Sequence, residues 1–305
     1  MRVVSLLPSA TEIVAALGGF EHLVGVTHCC DHPAAVDSRV RVTRTAVDPD
    51  AAPGAVDAQV REIAASGAPL YTLHEDRIRD LRPDLILTQA LCEVCAVMET
   101  DVRAVAARLD PVPRVLTLSA TSLDGVLDDI AAVGAAMGLA DEAAEFVTGA
   151  RARMRTVHET LKAAQAPRPR VAVVEWGEPL YAAGHWVPEM VRRAGGIDVL
   201  AQPGAHSVVV TLDALRAADP EVILVAPCGY DLARSVEEGE RLLARDDWAW
   251  ARGRRVFALD ANAFASRPGP RLVDGIEVMA RLFNPPLFTP VDAAFARALT
   301  SAARS

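Results

Sequence analysis

Short apolar runs alternate along the chain with amphipathic segments of helical length, the pattern of parallel strands joined by crossover helices. The runs predict strands over Val3–Leu7, Leu23–Val26, Leu85–Thr88 and Val115–Leu118, with a weaker one at Pro69–Tyr71. A second series follows over Val171–Glu175, Val222–Val225 and Val256–Leu259. Between the series, Ser122–Met137 and Glu142–Gln165 carry helical periodicity without proline, and Gly138 separates them. Apolar positions in the second segment (Ala143, Phe146, Val147, Ala150, Met154, Val157, Leu161) form a stripe close to 3.6-residue spacing, and Pro167 and Pro169 end it. A helix of roughly 24 residues spans about 36 Å, enough to act as a strut between two lobes.

The pattern thus predicts an α/β protein of two Rossmann-like lobes joined by a single long helix. The expected boundaries are 1–121 for the first lobe, 122–166 for the helical segment, 167–288 for the second lobe and 289–305 for a tail. The halves echo one another: Leu81-Arg82-Pro83-Asp84-Leu85-Ile86-Leu87 is matched by Ala218-Asp219-Pro220-Glu221-Val222-Ile223-Leu224. Each reads as a helix end, a proline stop, an acid and then a buried strand.

Composition narrows the chemistry. Among 31 basic residues only Lys162 is a lysine, and it lies in the long helical segment without a glycine-rich approach. P-loop, pyridoxal-phosphate and Schiff-base chemistries, which need a central lysine, are therefore nearly excluded. The formal charge of −9 argues against a nucleic-acid footprint. No apolar run is long enough to cross a bilayer, so membrane insertion is not expected. Met1 is followed at once by the first strand rather than by a secretory leader, which predicts a cytoplasmic location as sequenced, or a periplasmic or cell-surface one for a trimmed chain.

In open α/β sheets ligands bind outside the carboxyl ends of the strands, and three such loops hold all five cysteines. Cys29 and Cys30 follow the second strand, Cys92 and Cys95 follow Leu85–Thr88, and Cys228 follows Val222–Val225; a fourth loop offers Trp176, Tyr181, His185 and Trp186. An odd cysteine number does not suggest a disulfide framework. If the lobes face each other, these groups converge on one cleft, with Cys29, Cys92, Cys95 and Cys228 as candidate metal ligands and Tyr230 beside Cys228. The Cys92-x-x-Cys95 pair is half of a zinc signature and lacks its second half. Catalytic alternatives are Glu12 as a general base and Cys92 as a nucleophile with His28 or His185, but no local signature fixes either. Ser9, Thr11 and Glu12 read more simply as a helix start. Trp248 and Trp250 are expected to pack a C-terminal helix.

The opening Val3-Val4-Ser5-Leu6-Leu7-Pro8-Ser9-Ala10-Thr11-Glu12, the Gly25-Val26-Thr27 to Asp31-His32-Pro33 segment, Arg82-Pro83-Asp84-Leu85-Ile86-Leu87 and Arg267-Pro268-Gly269-Pro270-Arg271 together resemble the cobalamin-binding branch of the iron-siderophore and cobalamin substrate-binding proteins of ABC importers. The resemblance runs from Arg2 to about Phe288. It implies a non-enzymatic binding protein with no required cofactor, two lobes on one rigid helix, and ligand in the cleft between them. By the same resemblance the ligand-facing positions are Ser9, Cys29, Arg44, Gln89, Leu180 or Tyr181, Val208, Ala263 or Phe264, and Arg267. Large rings bury about 150–250 Å² each. Where the family has rings, this chain has Cys29, Arg44 and Gln89, so Trp176, Tyr181 and Trp186 would have to supply the apolar contact. Cobalamin, haem, an iron chelate or another metal-containing ligand therefore stay open. Asp76 and Asp213 align with the carboxylates that dock on a permease, although acids in a first helical turn also complement the helix dipole. The alternative from another class is a cytosolic thiolate-metal or redox enzyme, or a metallochaperone, on the same scaffold.

Overall fold

The structure is a computed structural model, and it describes residues 1–48, 51, 53–90 and 97–300. Two compact units emerge: the first comprises residues 1–120 and 124–148, and the second residues 121–123 and 149 onward.

The first unit contains β1 (Val3–Ser5), α1 (Pro8–Ala16), β2 (Leu23–Val26), β3 (Val40–Arg41), β4 (Thr43–Thr45), α2 (Pro53–Ser66), β5 (Tyr71–Leu73), α3 (Glu75–Leu81), β6 (Leu85–Gln89), α4 (Glu99–Ala106), β7 (Arg114–Leu118) and α5 (Leu123–Met137). Its main sheet has the order β3-β2-β1-β6-β7, every pair parallel, while β4 and β5 form a separate antiparallel ribbon. Val4 and Ile86 from adjacent strands pack with Ile78, Val102 and Val105 from the flanking helices. β1 and β6 are apolar on both faces, as crossover topology requires.

The next helix, α6 (Ala140–Ala163), runs uninterrupted for 24 residues and passes from the first unit into the second. Gly138 in the left-handed region (φ +75°) separates it from α5, at the position the sequence predicts. Ala143, Ala150, Met154 and Val157 of the predicted stripe are buried. Arg153, on its second half, donates to Asp274 (2.5 Å) and Glu277 (2.8 Å) within the second unit.

The second unit holds β8 (Arg170–Gly177), β9 (Leu180–Ala182), α7 (Val187–Arg193), β10 (Ile197–Asp198), β11 (Val208–Val209), α8 (Leu212–Ala217), β12 (Val222–Val225), α9 (Leu232–Ala244), β13 (Arg255–Leu259), α10 (Ala261–Phe264), α11 (Leu272–Phe283) and β14 (Ala296–Ala298). Its sheet order is β11-β9-β8-β12-β13-β14, with β10 also on β8. β14 pairs antiparallel with β13, so part of the expected tail is a sheet edge. Trp248 and Trp250 stack at 6.2 Å against this core, in keeping with their expected packing role.

The sequence echo is also a structural one. In the first unit the Arg2 N–H donates to the Asp84 carboxylate (2.7 Å), the Asp84 N–H returns a bond to the Arg2 carbonyl (2.8 Å), and the Arg114 N–H caps the Asp84 carbonyl (2.9 Å). In the second, Arg170, Glu221 and Arg255 repeat the three bonds at 2.8, 2.8 and 3.2 Å. Arg82 (φ +43°) and Asp219 (φ +44°) turn the chain before each proline. The Arg2 side chain also bonds the Leu81 carbonyl, and that of Arg170 the Asp219 and Ala218 carbonyls. Each acid therefore clamps three parallel strands at their amino ends. No helix among the described residues is long and apolar enough to cross a membrane.

Two predictions follow from this packing. Asp84→Ala and Glu221→Ala should each cost about 1 kcal/mol in chemical denaturation, and the double variant should show the sum within about 0.5 kcal/mol because the clamps share no partner; no measurable loss in either single variant would refute the clamp. At the end of β10, Asp198 accepts N–H bonds from Leu200 and Ala201 (2.9 Å each), its other carboxylate oxygen has no hydrogen-bond partner among the described residues, and burial pushes its pKa up to about 6. A raised folded-state pKa means the stability contribution is complete below about pH 4 and is lost as pH rises through 6. Asp198→Asn, neutral throughout, should thus be more stable than the parent at pH 8 by on the order of 2 kcal/mol, with the gap closing by pH 4; a gap independent of pH would sink this reading.

Candidate functional site

In the first unit a small open depression with room for about 10 Å³ lies at the carboxyl ends of β1 and β2, lined by Leu6, Thr27, His28, Cys29, Thr43 and Tyr71 among others. The strand β2 delivers Thr27 and His28 to its end, and the β4–β5 ribbon brings Thr43 and Tyr71 against them. Thr43 donates its one hydroxyl proton to Thr27 Oγ1 (2.9 Å) and accepts the His28 backbone N–H (3.0 Å). Its oxygen is also 2.8 Å from His28 Nδ1. With the Thr43 proton directed to Thr27, the Thr43 oxygen is placed to accept from Nδ1, and in that tautomer His28 presents a lone pair at Nε2. That lone pair is 3.0 Å from Cys29 Sγ. The Tyr71 ring stacks on the imidazole, centroids 5.7 Å apart. Burial of the ring, with the Arg41 guanidinium nearby, holds the His28 pKa below the usual imidazole value. The result is a neutral imidazole nitrogen beside an exposed thiol, two donor atoms suited to a borderline or soft metal.

The other candidates of this unit occupy separate places. Ser9 is buried inside α1, so its side chain is a packing element rather than a rim group. Thr11 Oγ1 lies 3.1 Å from Cys30 Sγ, and Glu12 is likewise buried. Arg44 is exposed on β4, donating to Thr72 (2.8 Å), and Gln89 closes β6. Cys92 and Cys95 lie outside the described residues, so the four-cysteine metal set has only Cys29 and Cys228 described, one in each unit. Among the described residues no group of three or more His, Cys, Asp or Glu forms a metal cage.

In the second unit the aromatic candidates divide. Trp176 and Tyr181, half-buried, pair across the β8–β9 hairpin, and Trp176 meets Tyr230 edge-on at 5.5 Å. Tyr230 is buried under the Arg234 guanidinium, Trp186 is buried with its indole N–H on the Ala265 carbonyl (2.7 Å), and Phe264 packs edge-on against Phe295. These three rings, expected from the sequence to face ligand, are anchors of the unit's own packing. Arg267 is half-buried between α10 and α11, and Cys228 is exposed after β12. His185 faces His206 across two loops. Burial raises the Glu175 carboxyl at the end of β8, outweighing the bonds it accepts from Ser207 and Gly184. Asp76 and Asp213 are exposed in the first turns of α3 and α8, each beside an arginine three residues on. The sequence carries little sign of the Thr27–Thr43–Tyr71 setting of His28: Thr43 and Thr45 lie in a stretch too short for a strand pattern, and Tyr71 ends a weak one.

Comparison with known proteins agrees with this architecture. An uncharacterized ABC transporter substrate-binding lipoprotein, YvrC, of Bacillus subtilis is 25% identical over 295 residues, 94% of this chain and 81% of that one. A cobalamin-binding protein of Halobacterium salinarum is 25% identical over 289 residues, 93% of this chain and 69% of that one. Among solved structures, a periplasmic haem-binding protein from Pseudomonas aeruginosa superposes with a TM-score of 0.71 at 24% identity, covering 97% of each chain. None of these matches supports the enzyme alternative. The periplasmic binding protein family profile matches residues 3–263, and the chain belongs to that family.

Proposed function

We propose that the protein is the substrate-binding component of an ABC importer, working outside the cytoplasmic membrane on cobalamin or a related metal-containing small molecule such as haem or an iron chelate. Family membership supports the binding role, and the names carried by its relatives support the ligand class. The observation that carries the reading to this chain's own residues is the open pocket at the ends of β1 and β2, with its exposed thiol next to a neutral imidazole nitrogen. Such a pair offers a metal-bearing ligand either a coordinating atom or a hydrogen-bond partner, and the Tyr71 ring beside it supplies apolar contact. Cys29, Arg44 and Gln89 of the first unit, with Trp176, Tyr181 and Arg267 of the second, are the proposed ligand contacts. The ligand is cargo, so no resident cofactor enters the proposal. Asp76 and Asp213, whose side chains are 91% and 92% exposed, are the proposed contacts for arginines of a permease.

Titration of the full chain with hydroxocobalamin, haem and a ferric hydroxamate, followed by calorimetry and visible spectra, tests this. One of them should bind with 1:1 stoichiometry. Cys29→Ser should then weaken it about tenfold, roughly 1.4 kcal/mol, and Thr43→Val, which frees the His28 tautomer, should weaken it several-fold. Absence of heat and spectral change with all three ligands would defeat the proposal.

A further inference from the structure

The second unit carries an imidazole pair that the ligand proposal does not use. His185 Nε2 lies 3.2 Å from His206 Nδ1, the rings nearly perpendicular at 86° with centroids 5.1 Å apart. Two nitrogens bound to one tetrahedral ion at about 2.0–2.1 Å are themselves about 3.3 Å apart, so the pair already stands at the bite distance of a chelate.

The loops that hold the rings are built closely. His185 sits in the left-handed region (φ +54°), which a non-glycine residue adopts only where its surroundings hold it. Its N–H bonds the Ala205 carbonyl (2.5 Å) and its carbonyl accepts from Gly204 (2.8 Å). Gly184 donates to Ser207 Oγ (3.1 Å), and a Cβ there would collide with the backbone of residues 205–207. Ser207 in turn donates to the half-buried Glu175 near the end of β8. The buried Trp186 ring lies 5.5 Å from His185 and walls its inner side. His206 is exposed, which leaves the pair reachable from solvent. Partial burial and the neighbouring His206 hold His185 below the ordinary imidazole pKa, favouring its neutral form.

We propose that His185 and His206 form a two-histidine site for a divalent late first-row transition ion, Zn²⁺ being the case argued. The ion lies about 1.3 Å off the line joining the facing nitrogens at those bond lengths, the two rings turn to aim a lone pair each at it, and it displaces the hydrogen now between them. That hydrogen moves, through water, to the other nitrogen of its own ring, so both imidazoles stay neutral and no proton is lost overall. The remaining coordination positions fall to water or to a small anion, and the Glu175–Ser207–Gly184 chain holds the loops in register.

The test uses the full chain, reduced, with Zn²⁺ alone against a chromophoric zinc indicator, in the parent, His206→Ala, His185→Asn and Cys29→Ser/Cys228→Ser proteins. Asparagine tolerates the left-handed backbone, and circular dichroism checks that each variant is folded. The parent should bind a Zn²⁺ that either histidine variant weakens at least tenfold. The imidazole proton resonances of both histidines should move with the same titration. Equal zinc affinity in parent and histidine variants, loss in the cysteine variant alone, or no zinc binding by the parent would overturn the site. No cobalamin, haem or chelate enters the experiment, so its outcome is separate from that of the ligand proposal.

Discussion

Each unit depends on one carboxylate that follows a proline. Asp84 and Glu221 bond the backbone of the first residue of the neighbouring strand in both directions, and their own carbonyls take an N–H from the strand beyond. Three parallel strands are thereby aligned at one end. A register slip of one residue would exchange the faces of every side chain on the strand. The loops that carry His28 and Cys29 in the first unit, and Cys228 and Tyr230 in the second, leave the opposite ends of these same aligned sheets.

From that alignment the chemistry of the first unit follows by hydrogen-bond accounting. A hydroxyl has one proton, and Thr43 gives its proton to Thr27, so it can only accept from His28. The orientation of one threonine thus bears on whether the imidazole nitrogen facing the thiol carries a hydrogen. Burial holds the ring neutral, and neutrality keeps the lone pair available. In the second unit a different device positions imidazoles: the backbone of residues 184, 185 and 204–207 interlocks through three hydrogen bonds and through a glycine that has no room for a Cβ.

Much of the fold was legible in the chain. Each long apolar run became a strand, because a strand buried on both faces has no alternative composition. The helix break at Gly138 and the buried stripe of α6 were equally plain, and the two proline-acid motifs marked structurally equivalent turns. The strands β3, β4, β9, β10, β11 and β14 were not legible. They are two or three residues long, and their pairing rests on edges supplied by other strands, so no local periodicity encodes them.

The site divides along the same line. The sequence by itself determined that thiols, imidazoles and indoles would fall at or just beyond strand ends, since strand positions and parallel direction follow from apolar runs and crossover helices. Only the tertiary structure decided which of them pack inward, as Trp186, Tyr230 and Phe264 do, and which retain exposed polar atoms, as Cys29 and His206 do. It also decided that Thr43, from a strand the sequence does not signal, and Tyr71, from a weakly signalled one, would pair as a ribbon beside His28. The reason is physical: burial and proton placement are properties of neighbours brought together by folding, and a residue's type fixes only what it can donate or accept.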